Sequence, residues 1–208
     1  LYEIQKSDLN KIENVINLQH TIVKFGRLRQ LADSLELLGE NKKSTKLEVL
    51  KELLTEFKSD DRKVLIFSEF AEMCKILKRE LAEYNPVMII GETSEADRQK
   101  VLEDFNNDPS KKVCVLSSAG QFGLNLQTAS VVIHYDLPFS LAKLEQRVGR
   151  AYRYGQKNSV LCYTLLGKGT ADMAIRLIVH QKAELSDKLL SNAPLTMEDM
   201  RAMLTYEE

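Results

Sequence analysis

Five short apolar runs, interleaved with segments of helical period, constrain the fold of this chain more than any other feature. The runs are "KVLIFSEF" from residue 63, "PVMII" (86–90), "KVCVLSS" (112–118), "SVVIHYD" (130–136) and "SVLCYTLL" (159–166). They are rich in β-branched residues and lack the polar alternation of a half-solvated sheet, so they read as strands buried on both faces. "AEMCKILKRELAEY" and "TSEADRQKVLEDFNND" lie between them with helical spacing, and Ser94 followed by Asp97 resembles a capping box opening the second. Strands alternating with helices predict an α/β fold: a mainly parallel sheet with helices on both faces. In such sheets ligands sit beyond the carboxyl ends of the strands.

Residues 1–57 show helical periodicity broken by "GENKKST" (39–45), which reads as an exposed loop, and "GTADMAIRLIVHQKAELSDKLL" reads as a long closing helix. The expected organisation is a helical lead-in over 1–57, a lobe over 58–190 and a tail over 191–208, with extra helices at both ends of the sheet unit. With 208 residues and 44% apolar content, one sizeable core is affordable. The chain starts without Met and in mid-pattern, so it is expected to be a fragment of a longer protein. No run reaches the roughly 18 apolar residues of a membrane span, and no membrane partner is expected. The formal net charge of −1 leaves any anion binding to local groups. Cys74, Cys114 and Cys162 each sit in an apolar run and are expected to be buried free thiols, which fits a reducing interior. His134, inside a strand, is expected to be structural.

"EQRVGRAYRYGQ" (145–156) carries three arginines in seven positions. On a helix advancing about 100° per residue, Leu141, Leu144, Val148 and Ala151 share one side. Gln146, Arg150 and Arg153 gather roughly opposite, offering an amide and two guanidinium forks to a polyanion, and Arg147 points elsewhere. Arg147 is expected to be structural, paired with a carboxylate such as Asp136. "SSAGQFGLN" places two glycines in a loop after a strand, where main-chain amides can approach an anion or a sugar. Thr93 and Ser94, with Arg98 one turn on, form either a phosphate corner or a plain helix cap. No G-x-x-x-x-G-K-[ST] occurs, and "GKGT" (167–170) reads as a turn, so the arginines lack a nucleotide cradle of their own.

"QRVGRAYR" resembles motif VI of superfamily-two helicases, and the "YGQ" that follows narrows the likeness to Swi/Snf-type DNA translocases. "KVLIFSEF" is similar to motif IV, "GETSEADRQKVLEDFN" to the segment after it, and "SSAGQFGLNLQTASVVIHYDLPFS" to motif V. "RLRQLADS" and "STKLEVLKELLTEF" resemble the helical lead-in of the same family, so the likeness runs over roughly residues 26 to 190.

The resemblance implies the C-terminal RecA-like lobe of a two-lobe motor, with ATP and Mg²⁺ bound mainly by an N-terminal RecA-like lobe of the parent chain. It implies that Arg150 and Arg153 are arginine fingers, that Gln146 is a phosphate-facing amide, and that Gly123 and Asn125 lie near the nucleotide sugar. A guanidinium brought across a cleft to a phosphoryl group can contribute about 10³ to 10⁵ in rate. Ser68, Gly91, Thr93, Arg98, Ser117 and Ser118 match positions contacting the backbone of double-stranded DNA, where contacts carry no base information. The fragment alone is then expected to hydrolyse essentially no ATP. No metal-ligating spacing occurs in this chain.

Glu69 stands where many relatives have Gln, Gln121 where a second motif V glycine is usual, and "YDLPFS" replaces the Asp-Trp-Asn-Pro run common in eukaryotic remodellers. These departures point to bacterial, archaeal or phage members. The implied location is intracellular, in cytoplasm or nucleoid, or nuclear for a eukaryotic source. A non-catalytic nucleic-acid or partner-binding module that kept the fold, and a strand-separating helicase of the same superfamily, are the competing readings.

Overall fold

The computed structural model describes residues 6–40, 44–120 and 124–186. The expected tail over 191–208 lies outside them, as do residues 41–43 of the loop expected at 39–45 and positions 121 and 123.

All five expected strands form: β1 (Lys63–Ser68), β2 (Val87–Ile89), β3 (Val113–Ser117), β4 (Ala129–His134) and β5 (Leu161–Thr164). They make one sheet in the order β2-β3-β1-β4-β5, with every pairing parallel. Alternate side chains of each central strand go to opposite faces, so each face needs its own cover. Val64, Ile66, Val113, Val115, Val131 and Ile133 pack with Leu50, Leu54 and Phe57 of α2 (Thr45–Ser59) and with Met73, Cys74 and Leu77 of α3 (Ala71–Glu80). Leu65, Phe67, Cys114, Leu116 and Val132 pack on the other face with Phe105 of α4 (Glu95–Asn107), and with Leu124, Leu126 and Ala151. Near-continuous apolar strands follow directly from this two-sided burial.

β5 departs from expectation. It is the sheet edge, its residues alternate between half-buried and exposed, and Cys162 is exposed where a buried thiol was expected. With no further strand paired to its outer side among the described residues, the edge strand keeps the polar alternation that its apolar composition hides. Cys74 and Cys114 are buried as expected, and burial pushes both thiols up.

A third cluster lies off the sheet. Phe25 of α1 (Lys6–Asp33) packs with Leu137 and with Ala174, Ile175, Ile178 and Val179 of α6 (Ala171–Ser186). Beside it Lys46, 6% exposed, bridges Asp33 at 2.8 Å and Asp172 at 2.6 Å, and the Tyr135 hydroxyl donates to the Asp33 carbonyl. The α1 end is thereby tied to the start of α6. "GKGT" is a turn: Gly169 has φ +68°, the Thr170 hydroxyl donates to the Gly167 carbonyl, and the Gly167 amide donates to Asp172. Among the described residues no helix is long and apolar enough to cross a membrane.

Candidate functional site

Parallel pairing in register brings the carboxyl ends of β1, β3 and β4 side by side: Ser68 lies opposite Ser117, and Phe67 opposite His134. The ladder runs on past the strands, with the Ser118 amide donating to the Ser68 carbonyl at 3.1 Å and Tyr135 to Phe67 at 2.9 Å. A buried polar cluster sits on this edge. Arg147 of α5 (Leu141–Val148) is wholly buried and pairs with Glu69 at 2.6 Å. It also donates to the Asp136 carbonyl at 2.9 Å and to the Ser118 hydroxyl at 3.3 Å, and lies 4.0 Å from the Asp136 carboxylate. Arg147 is thus structural as expected. Its nearest carboxylate, however, is Glu69, because the guanidinium reaches past the end of β4 to the loop after β1.

Asp136 is the hub on the other side of Arg147. Its carboxylate accepts from the Ser68 hydroxyl and from the Glu69 amide at 2.8 Å, and Arg29 of α1 stands 4.0 Å away. Arg29 donates to the Leu137 carbonyl at 2.7 Å and lies over the Phe139 ring. Burial pushes the Asp136 carboxyl up, while Arg147 and Arg29 pull it back. Next to it His134 is 2% exposed, with Nδ1 3.5 Å from Arg147 and Nε2 3.4 Å from Cys162 Sγ. A guanidinium can only donate, so Nδ1 accepts and the ring proton sits on Nε2, facing sulfur. Burial first, and the Arg147 charge second, push its pKa down to about 3. His134 is a neutral structural histidine.

The two strand-end serines are therefore not presented outward. Ser68 is 0% and Ser117 2% exposed; the first holds Asp136, and the hydroxyl of the second accepts from the Gly120 amide. Both hydroxyls are thus engaged inside the protein, at the ends of strands in a covered sheet. Ser118 is half-buried and donates to Glu69. Gly91 is exposed, and a Cβ there would come within 2.9 Å of Ala119, so the loops after β2 and β3 touch. The Thr93 hydroxyl accepts from the Ile90 amide at 3.0 Å, closing that loop. Ser94 caps α4, accepting from the Asp97 amide and donating to its carboxylate at 2.6 Å. Arg98 is half-buried, and its Nε is enclosed without a partner.

The arginine stripe differs from its expected form. α5 ends at Val148 with Gly149 as its cap, and Arg150 and Arg153 follow in turns. Glycine is costly in a helix interior, and the Arg150 amide bonds back three residues to Arg147, tightening the chain out of the helix. Gln146 remains exposed on α5, so it does not share a helical face with the two arginines. Arg150 donates to the Leu124 carbonyl at 3.4 Å, and its carbonyl accepts from the Leu126 amide, which places Asn125 beside it. Asn125 is exposed. The Arg150 Nε is buried and unpartnered, and burial, then Arg153, pushes its pKa down. Arg153 is exposed, its Nε donating to the Gly149 carbonyl at 3.2 Å. Gly123 lies outside the described residues.

Two groups thus stand out: Ser68, Glu69, Ser117, Ser118, Asp136 and Arg147 at the carboxyl ends of the strands, and Arg150 and Arg153 on the loop after α5, beside Asn125 on the segment that leads into β4. Gln156 holds that loop, and its role was missed from sequence. Its amide nitrogen donates to the carbonyls of Gln127, Ala129 and Ala151 at 2.8, 2.9 and 3.3 Å, and its oxygen accepts from the Asn158 amide. The signal was present in "YGQ", where a glycine at φ +97° turns the chain just before an amide side chain. Among the described residues no group of three or more His, Cys, Asp or Glu is placed to hold a metal.

The helicase conserved C-terminal domain family matches residues 45–155. The Sulfolobus solfataricus SWI2/SNF2 ATPase C-terminal domain superposes with a TM-score of 0.67 at 26% identity, covering 93% of this chain and 89% of that one. The chain is a helicase C-terminal domain of the Swi2/Snf2 type. A second structure, the S. solfataricus SWI2/SNF2 ATPase core in complex with dsDNA, matches this helicase domain with a TM-score of 0.71 at 27% identity, over 95% of this chain and 44% of that one. The putative ATP-dependent helicase/translocase YwqA of Bacillus subtilis is 32% identical over 81% of the domain, which spans only 19% of that relative.

Proposed function

We propose that this domain is the closing half of an ATP-dependent motor that translocates along double-stranded DNA. An N-terminal lobe of the same parent chain holds ATP and Mg²⁺, and residues 58–190 form the lobe that shuts on them, with residues 1–57 as its lead-in. The observation that carries the reading is the loop of Arg150 and Arg153: held by Gln156 at three carbonyls, and carrying one exposed guanidinium and one that meets the protein at the Leu124 carbonyl, at 3.4 Å. A phosphate is the ligand such a fork suits.

Bound with ATP, Mg²⁺ neutralises phosphate charge. This chain's part is to bring guanidinium groups to the oxygens where charge builds up, from a loop that need not reorganise. Arg150 and Arg153 act there, Gln146 faces the phosphates from α5, and Gly123 and Asn125 approach the sugar. DNA is gripped by the outward groups beyond the carboxyl ends of β2 and β3. Gly91, Thr93, Arg98 and Ser118 meet one strand's phosphates, while Ser68 and Ser117 brace the loops behind them. The dsDNA complex of the S. solfataricus core supports this choice of polymer.

The test is ATP hydrolysis by the full-length parent, with and without duplex DNA, beside Arg150→Ala. Duplex-stimulated turnover abolished by the substitution, in a protein that stays folded, is the expected result. An inert parent, or one indifferent to Arg150, means that the fold is kept for binding alone.

A further inference from the structure

Tyr152 and Tyr154 flank Arg153 and are 71% and 104% exposed. From β1 to α6, the one other large apolar side chain exposed among the described residues is Leu177, whereas Phe67, Phe105 and Tyr135 are fully buried. Two adjacent rings in water are therefore an exception in this lobe. They also sit on a well-braced loop, held by Gln156 at three carbonyls, by Arg150 at Leu124 and by Arg153 at Gly149. Rigid, exposed aromatic rings lose little freedom on binding and are the usual anchors of protein interfaces.

We infer that Tyr152 and Tyr154 are the aromatic contact through which this lobe closes against the nucleotide-holding lobe of its parent chain. The inference rests on the finger reading of Arg150 and Arg153. Consecutive Cα atoms are about 3.8 Å apart, so an Arg153 that reaches a phosphate across the cleft carries both neighbouring rings to the opposite wall. Duplex DNA is the weaker occupant. Its bases are stacked and its outer surface is phosphate, which an uncharged ring does not recognise, and ring stacking belongs to single strands. The groups suited to a duplex backbone, Gly91, Thr93, Arg98 and Ser118, lie on other segments, the loops after β2 and β3 and α4. The two rings thus add an apolar rim to a charged site, which favours the closed state only when the partner wall is present.

The experiment uses the full-length parent and compares Tyr152→Ala/Tyr154→Ala with Tyr152→Phe/Tyr154→Phe and Arg150→Ala. Duplex-stimulated ATP hydrolysis is measured together with oxidative footprinting of the two tyrosines. In the wild type both rings are expected to become protected with a non-hydrolysable ATP analogue and duplex together, and the alanine pair to lose about tenfold in kcat/KM, mostly recovered by the phenylalanine pair. Protection by duplex alone assigns the rings to DNA and overturns the contact. A loss confined to adenine nucleotides and absent with inorganic tripolyphosphate assigns them to the base and also overturns it. If Arg150→Ala is inactive while the alanine pair turns over normally, the contact fails and the finger reading stands. If Arg150→Ala stays active, the finger reading fails and takes the contact with it.

Discussion

Arg147 and Arg150 are three residues apart, yet the fold treats them oppositely. Arg147 is 0% exposed and meets Glu69, Ser118 and the Asp136 carbonyl, all within 3.3 Å. Arg150 is half-buried and touches one carbonyl at 3.4 Å, while in both side chains the Nε is enclosed without a partner. The helix end between them makes the difference: Arg147, in the last turn of α5, points back over the sheet edge, and Gly149 releases the chain before Arg150. A guanidinium whose terminal nitrogens are all engaged by the protein stabilises the fold. One held by a single long hydrogen bond is available to a ligand.

Activity and stability variants can break this contrast, and Arg150→Ala in the parent is the sharpest. Turnover is expected to fall about 10³-fold or more, the scale of a lost arginine finger, with the melting temperature of the 208-residue chain nearly unchanged. A large drop in stability would mean that Arg150 is as structural as Arg147. Arg147→Met is expected to do the reverse and strand the buried Asp136 and the half-buried Glu69, at a cost of about 3–5 kcal/mol. For a chain of this size that lowers Tm by roughly 6–20 °C. Thermal melts of Arg147→Met, Glu69→Gln and the double variant check it, because the double should lose less than the sum of the singles if the 2.6 Å pair is the interaction removed. Strict additivity would sink the pairing.

The fold was legible because its strands are buried on both faces, and such burial leaves continuous apolar runs that no loop imitates. Five runs became five parallel strands on that account. β5 was misjudged because composition shows apolar content but not which strand lies at an edge. The Arg147 pairing was half-read: a carboxylate partner was foreseeable, but Glu69 lies 78 residues away in sequence and reaches Arg147 only because β1 and β4 are neighbours. The interiority of Ser68 and Ser117 was hidden for the same reason, since a serine at a strand end looks alike whether its loop covers it or not. Lys46 between Asp33 and Asp172 left no trace in sequence, because the three residues lie on separate elements.

A smaller effect tests whether the finger loop is rigid. Gln156→Ala removes one amide that serves three carbonyls, two of them on the buried residues Ala129 and Ala151. The expected cost is about 1–3 kcal/mol for acceptors left unmet, together with slower turnover in the parent, because Arg153 loses its fixed position. Denaturant unfolding beside ATP hydrolysis separates the two effects. Unchanged turnover in a destabilised variant would show that the loop does not need its brace to present Arg153.

The smallest expected effect lies with His134, on the Arg147 side of the contrast, and is read as a slope with pH. Its pKa, pushed from the ordinary 6.5 down to about 3 by burial and by Arg147, keeps the folded ring neutral where the unfolded ring takes up a proton. The unfolded state then binds more protons between those values, so this residue lowers stability as pH falls from 6.5 toward 3 and has no such effect above 6.5. Asp33 and Asp136 work in the opposite sense: their folded carboxyls are pushed up chiefly by burial, so they bind protons more readily folded and add stability as pH falls. The acid limb is a sum of opposing contributions, and only a difference isolates one of them. His134→Gln should flatten the loss of Tm between pH 7 and 5 relative to the wild type, whatever its Tm at neutral pH. Parallel curves would mean that the ring already takes up its proton in the fold, beside a buried arginine, and that the Arg147 cluster is less closed to water than its partners make it.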